Sequence, residues 1–184
     1  MKILDISMDA KMSEFNALST HTFSLADQLS LLGNSVVLVV RGNHNAVIRK
    51  TNMNIFEIMF DPISFKGMQL IRFVKLLCKN VYLFYKIIKT NSKYDIIYER
   101  YNPAVFAGLL ISKLYKVPIF YEVNDVADEY FINTYNIQNT YLKNLIFNIC
   151  RMQMKSVTGI IVQTEELKRI IQDRMGVNNV YVVQ

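Results

Sequence analysis

Glycine is missing where many nucleotide-binding chains need it most. The sequence has 6 glycines in 184 residues, and none lies between Met8 and Leu18, directly after the first apolar run. Only glycine lets a backbone approach a pyrophosphate closely, so a dinucleotide fingerprint is excluded there. No GxxxxGK run occurs elsewhere, which removes a Walker A loop. Cysteine is scarce too. Cys78 and Cys150 have no CxxC or metal spacing, and both read as reduced, buried thiols in helical segments, which suits the cytoplasm. The opening Met1-Lys-Ile-Leu-Asp5 is too short an apolar run for a signal peptide. No uncharged apolar stretch approaches the roughly 20 residues of a spanning helix. The two histidines, His21 and His44, share no ligand spacing and read as incidental.

What is present fits one domain, long enough to bury roughly 70% of the surface its unfolded form exposes. The hydrophobic fraction is 52% and the net charge +6. Such a balance leaves apolar surface for a partner or a membrane and favours anionic ligands, anionic lipid or nucleic acid. Nucleic acid is the weakest of these readings, because no recognisable module interleaves basic and aromatic stacking positions.

Along the chain, apolar runs alternate with helical periodicity. Strands are expected at Lys2 to Ser7, Ser35 to Arg41, Asn54 to Phe60, Asp95 to Glu99, Pro118 to Val123, Gly159 to Gln163 and Asn179 to Val183. Helices are expected after a Ser19 or Thr20 cap up to Gly33, and over Met68 to Thr90, Pro103 to Tyr115, Tyr141 to Lys155 and Thr164 to Met175. Gly42 to Asn52 reads as a polar loop, and Asn124 to Asn139 as irregular. The fold class is α/β: a Rossmann-like, three-layer αβα domain with a mainly parallel sheet.

Three apolar runs end abruptly in polar residues. Asp95-Ile-Ile-Tyr-Glu-Arg100 leads to Tyr101-Asn102, Pro118-Ile-Phe-Tyr-Glu122 to Val123-Asn124-Asp125, and Gly159-Ile-Ile-Val to Gln163-Thr164-Glu165. Parallel strands would line these ends along one sheet edge, where open α/β sheets bind ligands. Glu99-Arg100 is either a solvated ion pair or a guanidinium fork holding an acceptor oxygen or phosphate. Asn102-Pro103 reads as a helix start. Glu122 follows a buried run and needs a partner. Asn124 and Asp125 offer paired donor and acceptor groups to a hydroxyl-rich substrate. Thr164 with Glu165 and Glu166 reads as a helix cap.

Pro62 to Tyr94 holds seven basic residues and no acidic one. On a helix, Arg72, Lys75, Lys79, Lys86, Lys89 and Lys93 fall within about 100° of arc, beside a wide apolar face. The segment is either packed on the sheet with a solvated stripe, or partly seated on an anionic membrane surface.

The three polar-ended motifs, with Val117 extending the second and Glu166-Leu-Lys168 the third, resemble the amino-terminal half of family 4 retaining glycosyltransferases, which have the GT-B fold. So do Met1-Lys-Ile-Leu-Asp-Ile-Ser7, Leu25-Ala-Asp-Gln-Leu29 and Leu32-Gly33-Asn-Ser-Val-Val37. The resemblance implies two Rossmann-like domains facing across a cleft. The amino-terminal one binds mainly the acceptor, and the carboxyl-terminal one binds the nucleotide-sugar and stabilises the leaving diphosphate. It further implies metal-independent chemistry, with no cofactor in this domain.

The expected partners are then a saccharide or lipid-linked acceptor, the missing carboxyl-terminal domain and an anionic membrane surface. The location is cytoplasmic, peripheral at the inner face of the membrane. Arg100, Glu122, Asn124 and Asp125 would line the acceptor side, with Glu99, Thr164 and Ser19 as further contacts and no catalytic or metal-binding residue in this domain. The chain reads as an acceptor domain without its donor half, inactive by itself. The alternative is a non-catalytic binding or assembly subunit that presents a glycan or lipid to a separate enzyme. Two departures from the family stand out. Met8-Asp-Ala-Lys-Met-Ser-Glu-Phe-Asn-Ala-Leu-Ser19 replaces its glycine-rich loop, and Asn124 stands where many members have a histidine, so its role would be positioning rather than acid or base catalysis.

Overall fold

The structure, a computed structural model, describes residues 1–11, 17–41, 54–58, 69–89, 93–134 and 137–183. Its elements are β1 (Lys2–Lys11), α1 (Ala17–Leu31), β2 (Ser35–Arg41), β3 (Asn54–Ile58), α2 (Gln69–Lys89), β4 (Ile96–Arg100), α3 (Ala107–Tyr115), β5 (Ile119–Glu122), α4 (Ala127–Thr134), α5 (Thr140–Lys155), β6 (Gly159–Val162), α6 (Glu165–Met175) and β7 (Val180–Val182). Among the described residues seven strands form one sheet in the order β3-β2-β1-β4-β5-β6-β7, and every pairing is parallel. The order reverses between β1 and β4, so a crevice opens at their carboxyl ends.

Alternation along the strands sorts side chains onto two faces. Ile3, Val36, Leu38 and Val40 pack under Phe23, Ala26 and Leu29 of α1, together with Ile96 and Tyr98. On the other face Leu4, Ile6, Val37, Val39, Ile97, Ile119 and Tyr121 meet Leu83 and Ile87 of α2, Ile111 of α3 and Met154 of α5. The run Val36 to Val40 is buried at every position, as expected of a parallel strand covered on both sides.

Several elements differ from the sequence expectations. α1 begins at Ala17, so Ser19 and Thr20 lie inside its first turn rather than capping it. Gly33 does end the helix, with φ at +82°, a conformation that favours glycine. α3 begins at Ala107, beyond Pro103. Asn102 instead closes a turn, its Oδ1 accepting from Ala104 N at 2.9 Å and its carbonyl accepting from Val105 N at 2.8 Å. The stretch expected to be irregular contains α4, whose first turn carries Asp128 and Glu129. Arg174 of α6 holds both, with Nη2 at 2.6 Å from Asp128 and Nη1 at 3.0 Å from Glu129. α2 ends at Lys89, which leaves Lys93 off the helix. Cys150 is buried but Cys78 is exposed, because Asn80, Leu83 and Ile87 are the residues that α2 turns inward. The loop expected at Gly42 to Asn52, Phe60 of the third strand, His44, and the side chains of Arg72, Lys75 and Lys79 lie outside the described residues.

The connection from β4 to α3 is tied down from below. Asn80 Nδ2 donates to Ala104 O and Asn80 Oδ1 accepts from Phe106 N, both at 2.8 Å. Tyr101 Oη donates to Gln153 Oε1 of α5 at 2.8 Å. Phe106 offers no side-chain cap to α3, so Asn80 takes over one of the donors that a helix start leaves unpaired.

Candidate functional site

Polar side chains gather on the α1 face at the point where strand order reverses. β1 contributes Asp5 and Ser7, β4 contributes Tyr98 and Arg100, β5 contributes Glu122, and Asn124 follows it. Glu122 is their hub. Its Oε2 accepts from Tyr98 Oη at 2.8 Å, and its Oε1 accepts from Asn124 Nδ2 at 3.0 Å. His21 Nε2 of α1 lies 3.2 Å from the same Oε1, and Arg100 Nη1 lies 4.0 Å from it. The Glu122 side chain is only 6% exposed. A carboxylate so enclosed is tolerated because its lone pairs are used.

Asp5 is fully buried beside this hub. Its Oδ1 accepts from Ser7 Oγ at 3.0 Å, while Oδ2 has no partner among the described residues. Burial lifts its carboxyl to about 7; the Ser7 hydrogen bond and nearby Arg100 pull it down, and the charge of Glu122 raises it further. Burial, with the adjacent Glu122 carboxylate, also pushes the Tyr98 phenol upward. Among the described residues Arg100 Nη1 and Asn124 Oδ1 likewise have no hydrogen-bond partner.

The sequence-derived candidates therefore separate. Arg100, Glu122 and Asn124 come together. Asp125 is exposed just beyond them. Thr164 sits at the end of the next strand but is engaged as the cap of α6, its Oγ1 accepting from Leu167 N at 3.1 Å. Ser19 is buried within α1 and already engaged there. Glu99 is on the opposite face, fully buried beneath α3. Successive strand residues point to opposite sides, so Glu99 and Arg100 cannot share one cleft. Burial holds the Glu99 carboxyl well above its usual range, and the Gly108 N–H draws it only partly back; neither oxygen makes a well-formed hydrogen bond.

Four members of the cluster were missed from sequence. Asp5, Ser7 and Tyr98 were readable as polar or amphipathic positions at strand period two, on the same face as Arg100. His21, which reads as incidental in the sequence, lies 3.2 Å from Glu122; its neighbour is far away in sequence and leaves no local signal. Among the described residues no three His, Cys, Asp or Glu side chains gather as a metal site, and no helix is long and apolar enough to cross a membrane.

Residues 18–184 match the family model for Glycosyltransferase Family 4. The chain belongs to Glycosyltransferase Family 4. Comparison with curated protein sequences finds no match. At the level of fold, this Family 4 chain is similar to sucrose-phosphate synthase from Thermosynechococcus elongatus, with a TM-score of 0.73 at 11% identity over 100% of this chain and 47% of that one. Apo UGT2 of Phytolacca americana gives 0.61 at 9% identity, over 100% of this chain and 51% of that one. A glycosyltransferase from Rickettsia africae gives 0.56 at 14% identity, over 100% and 42%. The Family 4 chain thus spans about half the length of these solved structures, and its fold is that of an amino-terminal GT-B domain.

Proposed function

We propose that the chain is the acceptor-binding half of a retaining glycosyltransferase, which moves a sugar from a nucleotide-sugar to a lipid-linked or cell-envelope saccharide. The observation that carries this reading is the polar cluster around Glu122, with Tyr98, Arg100 and Asn124, at a strand-order reversal where open α/β sheets bind ligands. A sugar hydroxyl both donates and accepts, so the exposed Asp125 carboxylate and the part-exposed Arg100 side chain at this edge can meet both of its roles. Arg100, Glu122, Asn124 and Asp125 form the acceptor wall, with Thr164 at its rim. Family membership supports retention. The nucleotide-sugar and the groups that stabilise the leaving diphosphate belong to a second α/β domain, so this domain alone transfers nothing.

The outer side of α2 supports a peripheral place at the inner face of a membrane. Val81, Tyr82 and Tyr85 are exposed there, with Lys86 Nζ 5.3 Å from the centre of the Tyr82 ring and Lys89 Nζ 5.9 Å from that of Tyr85. Aromatic rings flanked by lysines suit an anionic headgroup layer.

The purified chain tests both parts. Saturation-transfer NMR is expected to detect methyl hexosides, while assays with nucleotide-sugars yield no transfer. Transfer by this chain alone, or absence of saccharide binding, overturns the reading. Cosedimentation with vesicles should rise with phosphatidylglycerol content, and a flat response removes the membrane part.

A further inference from the structure

We propose that Arg174 is a positioning residue for the acceptor wall: by fixing the first turn of α4 it holds the Asn124-Asp125 turn in the shape that receives a saccharide. This rests on the acceptor-binding reading above. Three helices meet at the Arg174 guanidinium. From the last turn of α6, Nε donates to Asp128 Oδ1 at 3.1 Å and to Oδ2 at 3.2 Å, and Nη2 donates to Oδ2 at 2.6 Å. Nη1 lies 3.0 Å from Glu129 Oε1, and the guanidinium carbon stands 5.7 Å from the centre of the Phe147 ring of α5.

α4 depends on such support. Its 8 residues fall short of the roughly 12 at which a helix begins to persist unaided in water. Asp128 is 1% exposed, and a carboxylate so enclosed has to be paired. A planar fork meets it edge to edge, which fixes the orientation of the helix start as well as its place.

The turn before α4 is therefore held at both ends. On the sheet side Val123 N donates to Ile161 O at 2.9 Å, so the chain leaving β5 is still paired with β6. On the helix side Asp128 is clamped to α6. Between these points Asn124 is tied to Glu122 at 3.0 Å, and Asp125 is exposed. A buried ion pair contributes little stability beyond an apolar contact of the same volume. What this one adds is direction, since an apolar contact lets a short helix slide and a bidentate fork does not. A wall ordered before the saccharide arrives spares the ligand the entropy of ordering it.

The test uses the 15N-labelled 184-residue chain, with methyl glycosides of glucose, galactose and mannose as probes. In the free wild-type chain the heteronuclear 1H–15N NOE of the Asp125 amide should match that of β5. Arg174→Met should lower it to the range of a mobile loop. The same variant should weaken glycoside binding about fivefold, the scale of one more side chain to be ordered on binding. Val39→Ala, a cavity variant in the core of β2 toward the other end of the sheet, separates positioning from general destabilisation. It should leave both readouts at the wild-type level. Arg174→Lys keeps a charge beside Asp128 but offers one ammonium where the fork reaches two carboxylates, and should show both changes to a smaller degree. Wild-type order and affinity in a folded Arg174→Met, or in Arg174→Lys where the methionine variant does not fold, overturn the proposal and leave the acceptor-binding reading standing. Equal losses in Val39→Ala also overturn it. A wild-type chain that binds none of the glycosides overturns both.

Discussion

Glu122 and Glu99 are two buried carboxyl groups at the ends of adjacent strands, on opposite faces of the same sheet, and their surroundings could hardly differ more. Glu122 engages Tyr98, Asn124 and His21, with Arg100 close by. Glu99 has apolar neighbours, the Gly108 backbone and the Tyr101 and Tyr121 rings, whose centres are 4.9 Å apart. Burial alone does not mark a functional acid. The distinction lies in whether the environment supplies partners for a charge, and only the α1 face does so. The α3 face holds an acid whose burial in a packed core favours its neutral form.

The contrast breaks most directly at Gly108. A Cβ there would overlap Glu99 Oε2, so Gly108→Ala should lower stability by about 3 kcal/mol, as overpacking of a tight site does. Thermal melting checks it, and the double variant Gly108→Ala with Glu99→Ala should recover part of the loss. Next comes Glu122→Ala, which strands the Tyr98 hydroxyl and the enclosed Arg100. It should cost about 2 kcal/mol, read by urea titration.

The pH response sharpens the same contrast. The folded chain keeps the Glu99 proton above the ordinary carboxyl value of 4.5, whereas the unfolded chain releases it. The stability this group contributes is therefore full below that value and falls as pH rises toward the folded-state value, by at most about 1.4 kcal/mol per pH unit. Asp5 adds a decline of the same sign between 3.8 and about 7. Glu99→Gln and Asp5→Asn should each flatten part of the slope in denaturation measured from pH 4 to 8. The smallest effect is expected at half-exposed His21, where alanine should shift stability by no more than about 0.5 kcal/mol. A larger loss would make that histidine a structural residue.

Most of the sheet was legible in the sequence. The runs ending at Arg100, Glu122 and Val162 are strands, and Thr164 caps the helix it was expected to cap. α4 escaped because Asn124 to Asn139 is crowded with Asn and Asp, which compete with helix by bonding to nearby backbone. Its Asp128-Glu129 start was nevertheless a readable signal for a helix amino terminus. The Glu99 placement was also recoverable, since strand period two sends it away from Arg100. The contact between His21 and Glu122 was not, because it depends on how α1 crosses the sheet, which no local pattern encodes.

The β4–α3 connection has a consequence for protein engineering. Its shape is set by Asn80 on α2, whose amide stands in for missing backbone partners at Ala104 and Phe106, and by Gln153 on α5, which accepts from the Tyr101 hydroxyl. The loop is not a portable cassette. Moving residues 101–106 into another scaffold would carry the words without the grammar, and a successful graft would have to transplant Asn80 and Gln153 as well.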